Sequence, residues 1–303
     1  FIEQNAFKAE YVEGEKQNLK QIIESKIDNK TKYALDRARE EMFKGEPYGL
    51  YKYGYVEDLE KITPQNLYEY YRQLIKECKI DIFCSEMIEQ EKIEELVAKN
   101  EQLQRIQGRE PKYIVNNEQT EERKVTEQKK VEEHMNVGQG KLVIGLTVNA
   151  IEKNARFATS VYNAILGGGA NSKLFQNVRE KESLAYTANS NYVRQKDTIF
   201  IRCGIEIANY DKAYSTIEQQ LEDLKQGKFS EEDIENAKKL IIESVQSIPS
   251  EQDTEITYYY GQELADTFTT IDEYIQKIQN VDKNQIINIA NKTVINTIYF
   301  LRD

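Results

Sequence analysis

Between residues 7 and 44, apolar side chains recur at threes and fours among charged ones: Val12, Leu19, Ile22, Ile23, Ile27, Tyr33, Ala34, Leu35, Ala38 and Met42. That spacing predicts amphipathic helix, with a break at Asp28-Asn29 where two helices meet. Gly45-Glu46-Pro47-Tyr48-Gly49 reads as a loop. Thr63 then caps a helix that has Pro64 in its first turn and runs to about Cys78. Lys79–Cys84 alternates polar and apolar residues as a short strand, and residues 86–108 read as helix again. From Asn116 to Lys130 nearly every residue is Glu, Gln, Asn, Lys or Thr, a linker or exposed edge strand and the natural domain boundary. Beyond it the pattern predicts a strand over Gly140–Thr147 and a helix over Ala155–Leu166, ended by Gly167-Gly168-Gly169. A short helix over Ser172–Lys181 follows, then a hairpin of Ala185–Arg194 and Thr198–Ile207, then a helix over Asp211–Gln226. Ser230, with Asp233 three residues on, caps the next helix.

The two halves echo each other. Lys20-Gln21-Ile22-Ile23-Glu24-Ser25 recurs as Lys239-Leu240-Ile241-Ile242-Glu243-Ser244, an offset of 219. The same offset carries Leu59 onto Ile278, Ile62 onto Val281, the cap Thr63 onto the cap Asp282, and Leu67 onto Ile286. Close to that register, Ile80–Cys84 falls against Thr297–Leu301. These matches predict an α+β protein of two duplicated units, each an antiparallel sheet packed by helices. Residues 1–115 form the C-terminal half of the first unit, 116–130 the linker, and 131–303 the second unit. In that register about ninety residues of the first unit lie upstream of Phe1, so its sheet is incomplete as the chain stands.

Composition narrows the function. The 303 residues carry 41 Lys and Arg against 52 Asp and Glu, a net charge of −11. That field repels phosphate backbones, and no basic patch offsets it, so nucleic acid is excluded as a partner. No apolar run approaches the ~18 residues of a membrane span. Cys78, Cys84 and Cys203 lack CxxC spacing and read as buried thiols of a reducing, cytoplasmic compartment. The single histidine, His134, rules out a paired-His metal site within this chain and reads as a surface residue. The acid-rich first helix lacks calcium-loop spacing and reads as a solvated face. The runs Tyr68, Tyr70, Tyr71 and Tyr258-Tyr259-Tyr260 read first as core packing.

The most distinctive stretch is Gly167 to Tyr186. It matches neither the P-loop nor the dinucleotide fingerprint. A helix stop, a turn and a new helix capped by Asn171 or Ser172 would also account for it. Its Gly-containing turn, Ser172-Lys173-Leu174-Phe175, and Arg179 and Tyr186 seven residues apart resemble the C-terminal signature of the pitrilysin family of zinc peptidases, which includes insulinase and the mitochondrial processing peptidases. Val12-Glu13-Gly14-Glu15-Lys16, Tyr33-Ala34 with Arg37, and Pro47-Tyr48-Gly49 resemble the family's helices downstream of its metal motif. The resemblance implies a substrate-holding role for Arg179 and Tyr186: a permanently charged fork and a phenol orient a peptide carbonyl and stabilise a developing oxyanion. Without it, Arg179 would pair with Glu180 or Glu182, and Tyr186 would pack at the start of a strand.

The resemblance also implies a zinc held by two His and a downstream Glu, with a Glu base. This chain contains no HxxEH. Where an acid is expected seven residues after Glu15 stands Ile22, which cannot bind a metal. Glu24 is two residues on, rotated by about 200° on a helix, and does not replace it. The expectation is therefore a metal-free, non-catalytic subunit, with no catalytic residue and no cofactor of its own. It would enclose unfolded peptide for a catalytic pitrilysin-family partner. The alternatives are an active zinc endopeptidase whose HxxEH lies upstream, and a structural scaffold subunit.

Overall fold

The computed structural model describes residues 1–85, 89–104, 125, 127–150, 152, 154–264 and 267–303. Most of the linker expected over 116–130, and the ends of the helix expected over 86–108, lie outside these residues. The strands are β1 (Ile2–Glu3), β2 (Ala6–Phe7), β3 (Lys129–His134), β4 (Gly140–Val148), β5 (Ala185–Val193), β6 (Thr198–Ile205) and β7 (Thr293–Arg302). The α-helices are α1 (Ala9–Glu24), α2 (Lys30–Met42), α3 (Val56–Leu59), α4 (Pro64–Glu77), α5 (Gln90–Lys99), α6 (Glu101–Gln104), α7 (Ala155–Gly167), α8 (Tyr210–Lys225), α9 (Glu231–Gln246), α10 (Gln252–Leu264), α11 (Ile271–Gln279) and α12 (Lys283–Lys292). They pack as two units. One draws on Phe1–Glu24, Tyr55–Glu118 and Ser247–Phe268, the other on Ser25–Gly54, Gln119–Gln246 and Thr269–Asp303. These packing units cut across the two halves read from the sequence repeat.

The larger unit is built on a five-stranded sheet of order β3-β7-β4-β6-β5. All its pairings are antiparallel except β3 with β7, which run parallel, so the sheet is mixed at that edge. The run Leu142-Val143-Ile144-Gly145-Leu146 is apolar at successive positions because β4 is central and buried on both faces. One face takes α2: Ala34, Ala38 and Phe43 pack with Val143, Phe200, Tyr299 and Leu301. The other takes α7, α8 and α12, where Leu146 meets Tyr162 and Leu221 around a small cavity. Gly167, at the end of α7, lies against β5 so closely that a Cβ there would stand 2.4 Å from the Ser190 backbone nitrogen. The three-glycine stop read from the sequence therefore also permits a close helix–strand approach.

Among its described residues, the regular structure of the smaller unit is helix apart from the two-residue strands β1 and β2. Thr63 caps α4 in a capping box with Asn66, as its position before Pro64 predicts. Lys79–Cys84, expected as a strand, forms no ladder among the described residues. Alternation supplies a face but not a neighbour to bond, and an isolated strand is not stable in water. The tyrosine runs also differ from expectation: Tyr70, Tyr71, Tyr259 and Tyr260 are exposed rather than core. Within this unit α4 meets the two-residue strand β2, where Phe7 packs edge-on against Tyr71 at 5.7 Å, too little to bury these rings. Among the described residues, no helix is long and apolar enough to cross a membrane.

Candidate functional site

Arg179 and Tyr186 both lie in the larger unit, each on an irregular element. After the glycine turn, Ser172 is buried and its Oγ accepts the Phe175 N–H. Leu174 and Val178 are fully buried and hold one side of the helix that follows. From Phe175 to Lys181 this helix is in π register, shown by the five-residue hydrogen bond from Glu182 N to Asn177 O at 3.2 Å. π turns take up one residue more than α turns, and they are frequent at functional sites. Arg179 rides on this turn with its side chain 43% exposed, its guanidinium 4.5 Å over the Phe175 ring and its Nε 3.6 Å from Glu180. Glu182 pairs instead with Lys212 at 2.9 Å, so of the two acids considered from sequence only Glu180 approaches Arg179.

A second irregularity lies under Tyr186. Ser183 adopts φ +52°, a left-handed conformation that costs energy for a residue with a side chain. Ala185 then pairs with Ile205 while Thr187 pairs with Gly204, leaving Tyr186 as the extra residue of a β-bulge. Bulges re-aim side chains, and here the phenol is 62% exposed instead of packing at the strand start. The π-helix and β5 pack against each other, so the two residues come from adjoining elements of one unit. Chemically, one element carries a half-exposed guanidinium and the other an exposed phenol hydroxyl.

A further cluster was not read from the sequence. Glu133 accepts hydrogen bonds from Tyr33, from Tyr299 at 2.8 Å and from Arg37 Nε at 3.0 Å. Arg37 also reaches Glu40 at 2.6 Å and Glu41 at 3.4 Å. Burial alone would raise the Glu133 carboxyl, but the bonds from Tyr33, Tyr299 and Arg37 together hold it below the usual carboxylate range. Burial, and then the bond to Glu133, push Tyr33 up to about 12. This network fastens α2 to β3 and β7. It was legible in one respect: Val131 and Glu133 share the inward face of a strand with period two. His134, the next residue, is exposed, with Nδ1 3.0 Å from the Asp303 carbonyl oxygen.

Among the described residues, the zinc that the family resemblance implies finds no matching set of donors. Ile22 is a hydrocarbon side chain, 42% exposed on α1. Glu24 is exposed and lies 3.8 Å from Lys20. Among the described residues, no group of three or more His, Cys, Asp or Glu is placed to hold a metal ion. Of the cysteines only Cys203 is buried, its thiol pushed up to about 12 by burial, whereas Cys84 is exposed, contrary to the sequence expectation.

The profile of the peptidase M16 inactive domain matches residues 61–241. The chain is 33% identical over 302 residues to the "Probable inactive metalloprotease YmfF" of Bacillus subtilis (strain 168), covering 99% of this chain and 70% of that protein. The crystal structure of a conserved protein from Enterococcus faecalis V583 has a TM-score of 0.86 at 28% identity, over 99% of this chain and 70% of that one. A peptidase M16 inactive domain from Pseudomonas fluorescens shares the fold at a TM-score of 0.76 and 14% identity, over 97% and 71% of the two chains. The Ser-Lys-Leu-Phe segment and these matches converge: the chain belongs to the peptidase M16 inactive-domain family and is a zinc-metallopeptidase-like protein of the inactive type.

Proposed function

We propose that this chain is the non-catalytic member of a two-chain peptidase, holding unfolded peptide while a catalytic zinc-peptidase partner supplies the metal. The observation that carries this reading is the pair of register defects, a π turn under Arg179 and a bulge under Tyr186. They leave a charged fork and a phenol exposed at adjoining elements. The Arg179 guanidinium donates hydrogen bonds in a fixed plane. The Tyr186 hydroxyl donates one more. Both suit a peptide carbonyl oxygen, and their bonds strengthen as that oxygen gains charge during attack by a partner's nucleophile. A cytoplasmic setting belongs to the same proposal, supported by Cys84 and Cys203, which form no disulfide.

The test is reconstitution with a catalytic M16-type partner and an unstructured peptide. Arg179→Ala and Tyr186→Phe are expected to lower turnover by about a hundred- to a thousandfold while assembly is unchanged, the scale of losing one preorganised donor. Unchanged turnover in both variants would favour a structural scaffold instead. Stoichiometric zinc in the full-length protein, abolished by Glu→Gln in an upstream HxxEH, would establish an active peptidase in its own right.

A further inference from the structure

We infer that Asn177 and Gln220 are positioning residues for Arg179, their side-chain hydrogen bond holding the helix in its π register over Phe175–Lys181. The inference rests on the substrate-holding reading of Arg179 given above. A π turn is rare because it is less favourable than the α turn it replaces, so neighbouring contacts must hold it. Asn177 lies at the centre of this one and contributes twice. Its carbonyl accepts the five-residue bond from Glu182 N at 3.2 Å. Its side-chain amide donates to Lys173 O at 3.0 Å and to Gln220 Oε1 at 2.7 Å, which engages both of its hydrogens.

Gln220 comes from α8 and is 8% exposed, so its carboxamide oxygen has little water to turn to if Asn177 is lost. One turn earlier, Lys173 Nζ binds Asp233 Oδ2 at 2.7 Å, and Asp233 also accepts from Ser230 N at 2.7 Å at the head of α9. The first turn and the middle of the helix are thus tied to two different helices, and Arg179 follows two residues after the second tie. Relaxation to an α turn would rotate the residues beyond it by about one position, or about 100°. Val178 and Arg179, buried and exposed neighbours, would then compete for the same face.

The experiment measures binding of a fluorescein-labelled unstructured peptide to the full chain by anisotropy, alongside the NMR resonance of the Arg179 Nε–Hε group. Asn177→Ala and Gln220→Leu are each expected to weaken binding about tenfold, as Arg179→Ala does, and to shift that resonance; loss of one buried hydrogen bond is of this size. The reciprocal swap, Asn177→Gln with Gln220→Asn, is expected to restore both, which a general loss of packing would not allow. Wild-type affinity with an unmoved resonance in folded Gln220→Leu would overturn the inference. If Arg179→Ala leaves binding unchanged, the substrate-holding reading fails by itself. The resonance then still decides whether Asn177 and Gln220 set the position of Arg179. Should Gln220→Leu fail to fold, the swap variant decides: a displaced resonance in it also counts against the pair.

Discussion

Glu133 gathers three hydrogen bonds onto one carboxylate, and each comes from a residue far away in sequence or on another element. Because its pKa is lower folded than unfolded, its contribution to stability is present above the unfolded value of about 4.3 and fades as pH falls through the lower folded value. Glu133→Gln is expected to destabilise the chain at pH 7 by about 1–3 kcal/mol, the cost of weakening bonds to a partly buried charge. It should also flatten the acid limb of a plot of melting temperature against pH, as pH falls below the ordinary carboxylate range. An unchanged acid limb in that variant would show that other carboxylates control acid unfolding. At this scale the sequence exposed residue types and local spacing. Arg179 and Tyr186 were visible as a motif, and Ile22 as the hydrocarbon in place of an acid. The role of Glu133 was hidden because its donors lie about a hundred residues or more along the chain, at Tyr33, Arg37 and Tyr299.

Among the elements, those defined by local chemistry follow the sequence pattern closely. Asp282 caps α12 through Gln285 N at 2.9 Å, and Gln285 returns a bond to Asp282 N, as the polar residue before an apolar run predicts. Asp282→Ala should cost about 1 kcal/mol in urea unfolding, the usual worth of such a cap. Gly167→Ala is a sharper case. The added Cβ would meet Ser190 N at 2.4 Å, Ser190 Oγ at 2.5 Å and Asn189 C at 2.9 Å, mostly backbone that cannot rotate away. A loss of about 1–3 kcal/mol is expected from overpacking. A neutral result would mean that α7 can move off β5 without penalty. The π turn and the β-bulge were not legible, since each inserts one residue into a pattern whose period the sequence otherwise respects. Ile80–Cys84 and the second half of β7, Thr297–Leu301, show the same limit from the other side. They share a register in the repeat, yet only β7, flanked by β3 and β4, becomes a strand.

Over the whole molecule the buried apolar residues are divided unevenly. In the smaller unit only Ala6, Val12 and Leu59 are buried hydrophobics among the described residues, whereas the larger unit buries most of β4, β6, β7 and the inward face of α7. Amide exchange should follow this division. The central strands β4, β6 and β7 are expected to be protected to the global unfolding limit, and the amides of α1, α4 and α10 to exchange far sooner. Equal protection of both sets by hydrogen-exchange mass spectrometry would contradict it. The sequence alone determined the α+β class, most of the helices, the hairpin of β5 and β6, the family resemblance and the exclusion of a His-based metal site from this chain. All of these depend on residue type and on periodicity within a turn or two. Only the tertiary structure decided that α2 packs on the sheet of the larger unit, that β3 runs parallel to β7, and that Tyr186 stands on a bulge beside a π turn. Those outcomes depend on which distant segments bond and bury one another, and a side chain's neighbours in space are not written in its neighbours along the chain.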